Sequence, residues 1–470
     1  VVPEAAGDIP TEPGRPMPRE VAPLEQASTL RLFGTRSFFR LWLAQVVSSL
    51  GDWMGLVAVT AIAQRIGGGS PDAAIGIVLS ARLVPGFFLA PAAGVFLDRW
   101  DRKKVMVICD IGRGLTLASL PFVDTLPGLV LASFLLEIFT LMWSPAKEAS
   151  VPNLVRPEFL ANANSLSLVA AYGTFPVGTA MFAALSGVAK WLGHYSALHS
   201  LRVSQETVAI WFDVGTFFVS AIMISTLALP KRTNGHAPEP GEKMHFDFGR
   251  TFRDLKDGWK FIGSSPVVRA VIIGIGTGLV GGGMMVPLGA VMSREVLAGG
   301  TAGFGLLLTA LGTGVATGVI GLSVVQRHLP HERIFVLSVM GAGVCQIAGA
   351  SMGSLLPAMV FVAILGLCAG GVYILGFTIL QTNVDDEYRG RIFATLYTLI
   401  RFCLLLAFGL APFFSGAFDR LSESLFDKHV QWGGLDISLP GVRLTLWLGG
   451  LIILGAGFLA RVSLRSRDHA

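Results

Sequence analysis

Apolar residues gather along this chain into blocks near twenty residues long. They run at about 37–64, 72–97, 104–123, 128–146, 161–188, 207–229, 266–293, 303–326, 333–352, 356–380, 390–416 and 442–461. A helix of about twenty residues crosses the ~30 Å hydrocarbon layer of a bilayer. Short alternating segments, the mark of a membrane barrel, are missing from the sequence. The pattern therefore predicts an all-α integral membrane protein of twelve transmembrane helices. A long polar break follows the sixth block. It divides the chain into a six-helix bundle over 37–229, a linker over 230–265 and a second six-helix bundle over 266–461. Residues 1–36 are rich in Pro, Glu, Ala and Arg and are read as a disordered cytoplasmic tail. Residues 462–470 are read as a second tail. No charged n-region with an apolar h-region precedes the first block, so no cleaved leader is expected.

Composition agrees. Of 470 residues, 52% are hydrophobic and 14% charged, where a soluble chain carries roughly a quarter charged. Basic residues concentrate on the even-numbered connections and the 230–265 linker. By the positive-inside bias both termini are expected in the cytoplasm. A net charge of +5 then needs no nucleic acid to explain it. The cysteines (Cys109, Cys345, Cys368, Cys403) lie in apolar runs without metal-ligand spacing, and read as small core residues. No H-E-x-x-H, G-x-S-x-G or phosphate-binding loop is present, and His331-Glu332 lacks a second His. An intramembrane enzyme and an ATP-driven pump within this chain are thereby disfavoured; no metal and no cofactor are expected.

Charges at membrane depth are costly and need a reason. They are Asp52, Arg82, Asp110, Arg113, Glu137, Asp213 and Arg401. All but Arg401 fall in the first half, so coupling chemistry is expected there. The second half, with its GTGLVGGGMMVPLG run, is expected to shape the cavity. Asp52 lies past mid-span, where a desolvated carboxyl is a candidate to load and release a proton. The alternative is a structural carboxylate paired to Arg82 or Arg113. Gln45 lies two turns away on the same face. Glu137, inside FLLEIFTLMW, is the second candidate. Asp110 and Arg113 stand three apart on one helix and are read first as a static ion pair. Arg82 and Arg401 either counter the carboxylates or attract an anionic group on a substrate. Asp213 is read as nearer the external end and solvated.

One loop is distinctive. GVFLDRWDRKK at 94–104 places Gly94, Asp98, Arg99, Arg102, Lys103 and Lys104 between two apolar blocks. A weak repeat accompanies it: VRPEFLANANSL at 155–166 and DEYRGRIFATLY at 386–397 open the fifth helix of each half. Together these resemble the major facilitator superfamily over nearly the whole chain. FFRLWLAQVVSSLGDWMG, SPAKEASVPNLVRPEFLANANSL and LQTNVDDEYRGRIFATL further resemble the drug:proton antiporter branch that holds macrolide-efflux and enterobactin-export proteins. Asp101 departs from the loop pattern, standing where that family usually has Gly. The helix-5 antiporter motif is partial, with Gly173, Pro176 and Gly178 but Phe175 where Gly is usual.

The resemblance implies two pseudo-symmetric bundles and alternating access. It implies a secondary active exporter, driven by the proton gradient, that moves a lipophilic or amphiphilic molecule out of the cell across the plasma membrane. A siderophore or lysophospholipid is the alternative cargo. It implies that Asp98 gates the cytoplasmic side against the start of helix 11 near Arg389 and Arg391, with Gly94 allowing close packing and Arg99, Arg102 and Lys103 beside it. The bilayer, protons and substrate are the expected partners, and a monomer the expected state.

Overall fold

In the computed structural model of the chain, residues 33–88, 100–156, 159–192, 206–227, 265–325, 330–384, 386–432 and 435–465 are described. The first half comprises α1 (Arg36–Ile66), α2 (Pro71–Phe88), α3 (Arg102–Ser119), α4 (Leu126–Ser150), α5 and α6 (Thr207–Ser225). α5 is composite. Leu160–Leu168 and Phe175–Leu192 are joined by a π-helical turn, Val169–Gly173. The second half comprises α7 (Pro266–Gly283, then Met285–Glu295), α8 (Gly300–Val325), α9 (His331–Ser351), α10 (Leu355–Asn383), α11 (Asp386–Phe426) and α12 (Gly441–Arg465). Eleven of the described helices are long and apolar enough to cross a membrane. α2, described to residue 88, packs among them as the twelfth.

Local chemistry sets the helix starts. Thr35 caps α1 by accepting from the Phe38 amide at 3.1 Å, and its own hydroxyl donates to the Leu154 carbonyl at 2.7 Å. Asp101 caps α3 through the Lys104 amide at 3.1 Å. A carboxylate satisfies an otherwise orphaned amide there, so Asp101, standing where Gly is usual, serves as the helix cap. Ser265 and Pro266 open α7 in the same manner.

α1 packs on α6, α5 and α2, and α4 bridges α3 and α2. In the second half α8 lies on α10, while α12 lies on α7 and α9. The halves meet along two helix pairs, α2 with α11 and α5 with α8. These pairs are related by the internal repeat. Gly76, five residues into α2, approaches α11 so closely that a Cβ would come within 2.5 Å of the Phe408 carbonyl. Gly305, five residues into α8, approaches α5, with the Thr179 carbonyl at 3.1 Å from the same position.

Three expectations change. The GTGLVGGGMMVPLG run does not line the main cavity. It is packed inside the second half, with Gly281 against the Gly449 carbonyl and Met284 and Met285 buried. α11 reaches Phe426, ten residues past its expected end at 416. Between α11 and α12 the otherwise all-α chain carries a short antiparallel hairpin, β1 (His429–Trp432) with β2 (Leu435–Ser438), His429 facing Ser438. The alternation in HVQW and LDIS fits that assignment. Lys428, before β1, bonds Asp419 at 2.8 Å, and this contact holds its ammonium above the ordinary range.

Candidate functional site

The face where α1, α3 and α7 begin is called the near face below, and the opposite one the far face. Toward the far face the halves touch. Gln64 donates to the Ala290 carbonyl at 3.2 Å, the Thr179 and Thr309 hydroxyls bond at 3.0 Å, and Ser415 donates to Asp72. Toward the near face lies a cavity of about 810 Å³, extending from Asp52 and Leu79 to Lys147, Glu148 and Val151. Nearly all its described lining comes from α1 to α5; Leu404 and Phe408 of α11 are the second half's share.

At the inner wall, Arg113 organises the charges. Its guanidinium is 1% exposed. It bonds Asp52 at 3.1 Å, Ser48 at 3.1 Å and, in a short contact, Asp110. Asp110 also accepts from Ser220 at 2.7 Å. The rings of Phe217 and Trp143 flank the cation at 4.5 and 5.3 Å, and such faces favour a desolvated guanidinium. The two carboxylates are not equivalent. Asp110 is fully buried, whereas Asp52 is 31% exposed and lines the cavity.

The spacing of Asp110 and Arg113 anticipates their contact, and Arg113 was one of two partners foreseen for Asp52. Nothing in the sequence points to Ser220, 110 residues from Asp110. Asp213 is not solvated. It is 1% exposed, with one oxygen bonded to Thr216 at 3.1 Å and the other without a partner among the described residues. It sits against Gly51 and Gly55 of α1, where a Cβ would come within 2.2 and 2.9 Å of its oxygens. The glycines admit the carboxyl, and that pairing is invisible along the chain.

Glu137 and Arg82 both line the cavity, and neither has a hydrogen bond or ion pair among the described residues. Lys147, also on the lining, was not singled out by the sequence because it lies at the end of an apolar block. Arg401 does not line this cavity. It donates to the Gly86 carbonyl at 2.9 Å and so ties α11 to α2.

The π turn in α5 explains the partial helix-5 motif. A wider turn leaves carbonyls without their usual amide partners. Side chains of α1 supply donors: Trp42 to Leu166 at 2.8 Å, Gln45 to Ser167 at 3.0 Å and Trp53 to Ala171 at 3.0 Å. Gly173 ends the turn, Pro176 opens the next segment, and Gly178 lies 2.9 Å, from its would-be Cβ, to the Leu50 carbonyl. Phe175, in the place of the usual Gly, packs on Trp53 with ring centroids 4.5 Å apart and planes tilted by 48°, and abuts Gly312 of α8.

Of the proposed gate, Gly94, Asp98 and Arg99 lie outside the described residues, as do the side chains of Arg389 and Arg391. Arg102 donates to the Ala149 carbonyl at the end of α4, and Lys103 to Leu227 beyond α6 at 2.8 Å. Cations suit the negative ends of helices. These two contacts therefore hold the first half together.

A family model described as the Major Facilitator Superfamily matches residues 41–412. The "Uncharacterized MFS-type transporter YfiS" of Bacillus subtilis (strain 168) is 24% identical over 77% of this chain and 82% of its own length. "Multidrug efflux pump Tap" of Mycolicibacterium fortuitum is 24% identical over 76% and 83%. "Enterobactin exporter EntS" of Escherichia coli O1:K1 / APEC is 24% identical over 77% and 82%. Among solved structures, a bacterial homologue of the human lysosomal transporter Spinster, inward-facing and unoccupied, superposes with a TM-score of 0.67 at 14% identity, over 92% of this chain and 98% of that one. At such identity the likeness concerns the fold.

Proposed function

This chain belongs to the major facilitator superfamily, and from that premise we propose that it is a proton-coupled exporter of lipophilic or amphiphilic small molecules. That it is a multi-pass membrane transporter of small molecules, and not an enzyme, follows from the family and the fold. Coupling and cargo are the proposal. The observation that carries it is Arg113 shared between Asp52, at the cavity wall, and Asp110, sealed behind it.

A lone ion pair in a membrane resists protonation, because loss of one charge orphans the other. Here Asp52 takes a proton while Asp110 still neutralises Arg113. Asp52 thus becomes a group that loads and unloads as the cavity changes sides. Its release from Arg113 leaves Ser48 as the remaining bond from α1 to that guanidinium and so loosens α1, which carries Trp53 and Gln45 against α5. The far-face contacts of Gln64, Thr179 and Asp72 are those that must part for the cavity to open on the other side. With basic connections in the cytoplasm, the cavity faces the cytoplasm, as an exporter needs for loading. The multidrug efflux relative supports a lipophilic cargo. The enterobactin-export relative, and Arg82 on the cavity wall with no bond among the described residues, support an anionic cargo as the second reading.

The test is proton movement in proteoliposomes containing a pH-sensitive dye. Wild type and Asp52→Asn are challenged with a lipophilic cation, a macrolide, a catecholate siderophore and a lysophospholipid. Proton flux driven by one of these in wild type, and lost in the variant, is expected. Cargo movement without proton flux in wild type sinks the coupling.

A further inference from the structure

Asp52 and Asp110 both bond Arg113, which makes the next two charges conspicuous. Arg82 of α2 and Glu137 of α4 line the same cavity, and among the described residues neither bonds the other nor anything else. Two opposite charges on the wall of one cavity, bonded among the described residues neither to each other nor to a neighbour, are costly at membrane depth. Arg401 has no bond to Glu137 among the described residues; its Nη1 donates to the Gly86 carbonyl. Asp52 does not resolve the pair, being bonded to Arg113.

We infer that the space between Arg82 and Glu137 receives an amphoteric substrate: an acidic group on Arg82, a protonated amine on Glu137, and an apolar body along Trp53 and Phe408. This rests on the transporter reading and narrows its cargo. A guanidinium offers a forked set of donors to a carboxylate or phosphate. A carboxylate accepts from an ammonium. A molecule carrying both charges satisfies each group and leaves no net charge in the cavity, whereas a simple lipophilic cation leaves Arg82 facing it.

The experiment is equilibrium binding to the full chain in lipid nanodiscs, with empty nanodiscs subtracted. The radiolabelled probes share one tail: N-octylglycine and 6-(octylamino)hexanoate, which are amphoteric with short and long spacers, octylamine, octanoate and octyl phosphate. Wild type should bind the better amphoteric probe about tenfold more tightly than any singly charged one, as one charge-assisted hydrogen bond is worth. Arg82→Gln should bring that probe down to the octylamine level, with octylamine bound at least as tightly as by wild type. Glu137→Gln should bring it down to the octanoate level, with octanoate bound at least as tightly as by wild type. The retained probe reports that each variant is folded. Octanoate against octyl phosphate distinguishes a carboxylate from a phosphate headgroup. Octylamine or octanoate binding as tightly as the amphoteric probes overturns the inference and leaves the amphiphile reading standing. Binding of none of the probes overturns both.

Discussion

In α1–α6 the side chains of Ser48, Asp52 and Asp110 converge on Arg113. In α7–α12 the helices meet as backbones. A Cβ on Gly314 or Gly318 of α8 would come within 2.0 and 2.3 Å of carbonyls of α10, and Gly366 and Gly370 of α10 return the contact at 2.2 and 2.5 Å. These are small-xxx-small faces, which bring membrane helices together where no water drives association. Two buried polar side chains there bond only backbone: Gln346 at Gly281 and Leu446, and Arg443, at the start of α12, at Ala350 and Met352. The contrast separates two jobs. A charge cluster has more than one protonation state and can answer a gradient. A glycine seam offers no group to titrate and holds its helices by backbone contact.

Substitutions can break that contrast. Asp110→Asn should have the largest effect. It removes a fully buried partner, and breaking such a pair costs about 3–5 kcal/mol; most of the protein should be lost from the monodisperse peak on size exclusion. Gly366→Val should come next. It forces a side chain onto the Leu311 carbonyl, and overpacking of this kind costs about 1–3 kcal/mol, read as a lower thermal midpoint. Gly278→Ala, with open space around it, should shift that midpoint little. Asp52→Asn should cost about 1–2 kcal/mol, less than Asp110→Asn, because Arg113 keeps Asp110. If Asp52→Asn proves the more damaging to folding, the division between a sealed and a working carboxylate is wrong. Lys428→Ala, at a half-exposed pair outside both bundles, should cost under about 1 kcal/mol.

Much of this was legible in the chain. Apart from the end of α11, hydropathy places the described helix ends within a few residues, because a bilayer imposes length on each helix independently of its neighbours. The three-residue spacing of Asp110 and Arg113 is local, and so was readable. What escaped depends on which faces meet. Asp213 is buried because two glycines of α1 lie opposite it. Arg401 turns to Gly86 because α11 crosses α2 there. The π turn in α5 has no sequence mark of its own; its sign is the set of donors on α1. The hairpin after α11 was passed over because two four-residue strands carry little signal beside a forty-one-residue helix.

The joint between α1 and α5 has an evolutionary corollary. Trp42, Gln45 and Trp53 donate hydrogen bonds to backbone carbonyls, and every amino acid has a carbonyl. Positions 166, 167 and 171 can therefore drift in identity without loosening the joint, while 42, 45 and 53 cannot. Among diverged relatives, α1 should look constrained and the facing stretch of α5 permissive, although the two are equal partners in the contact.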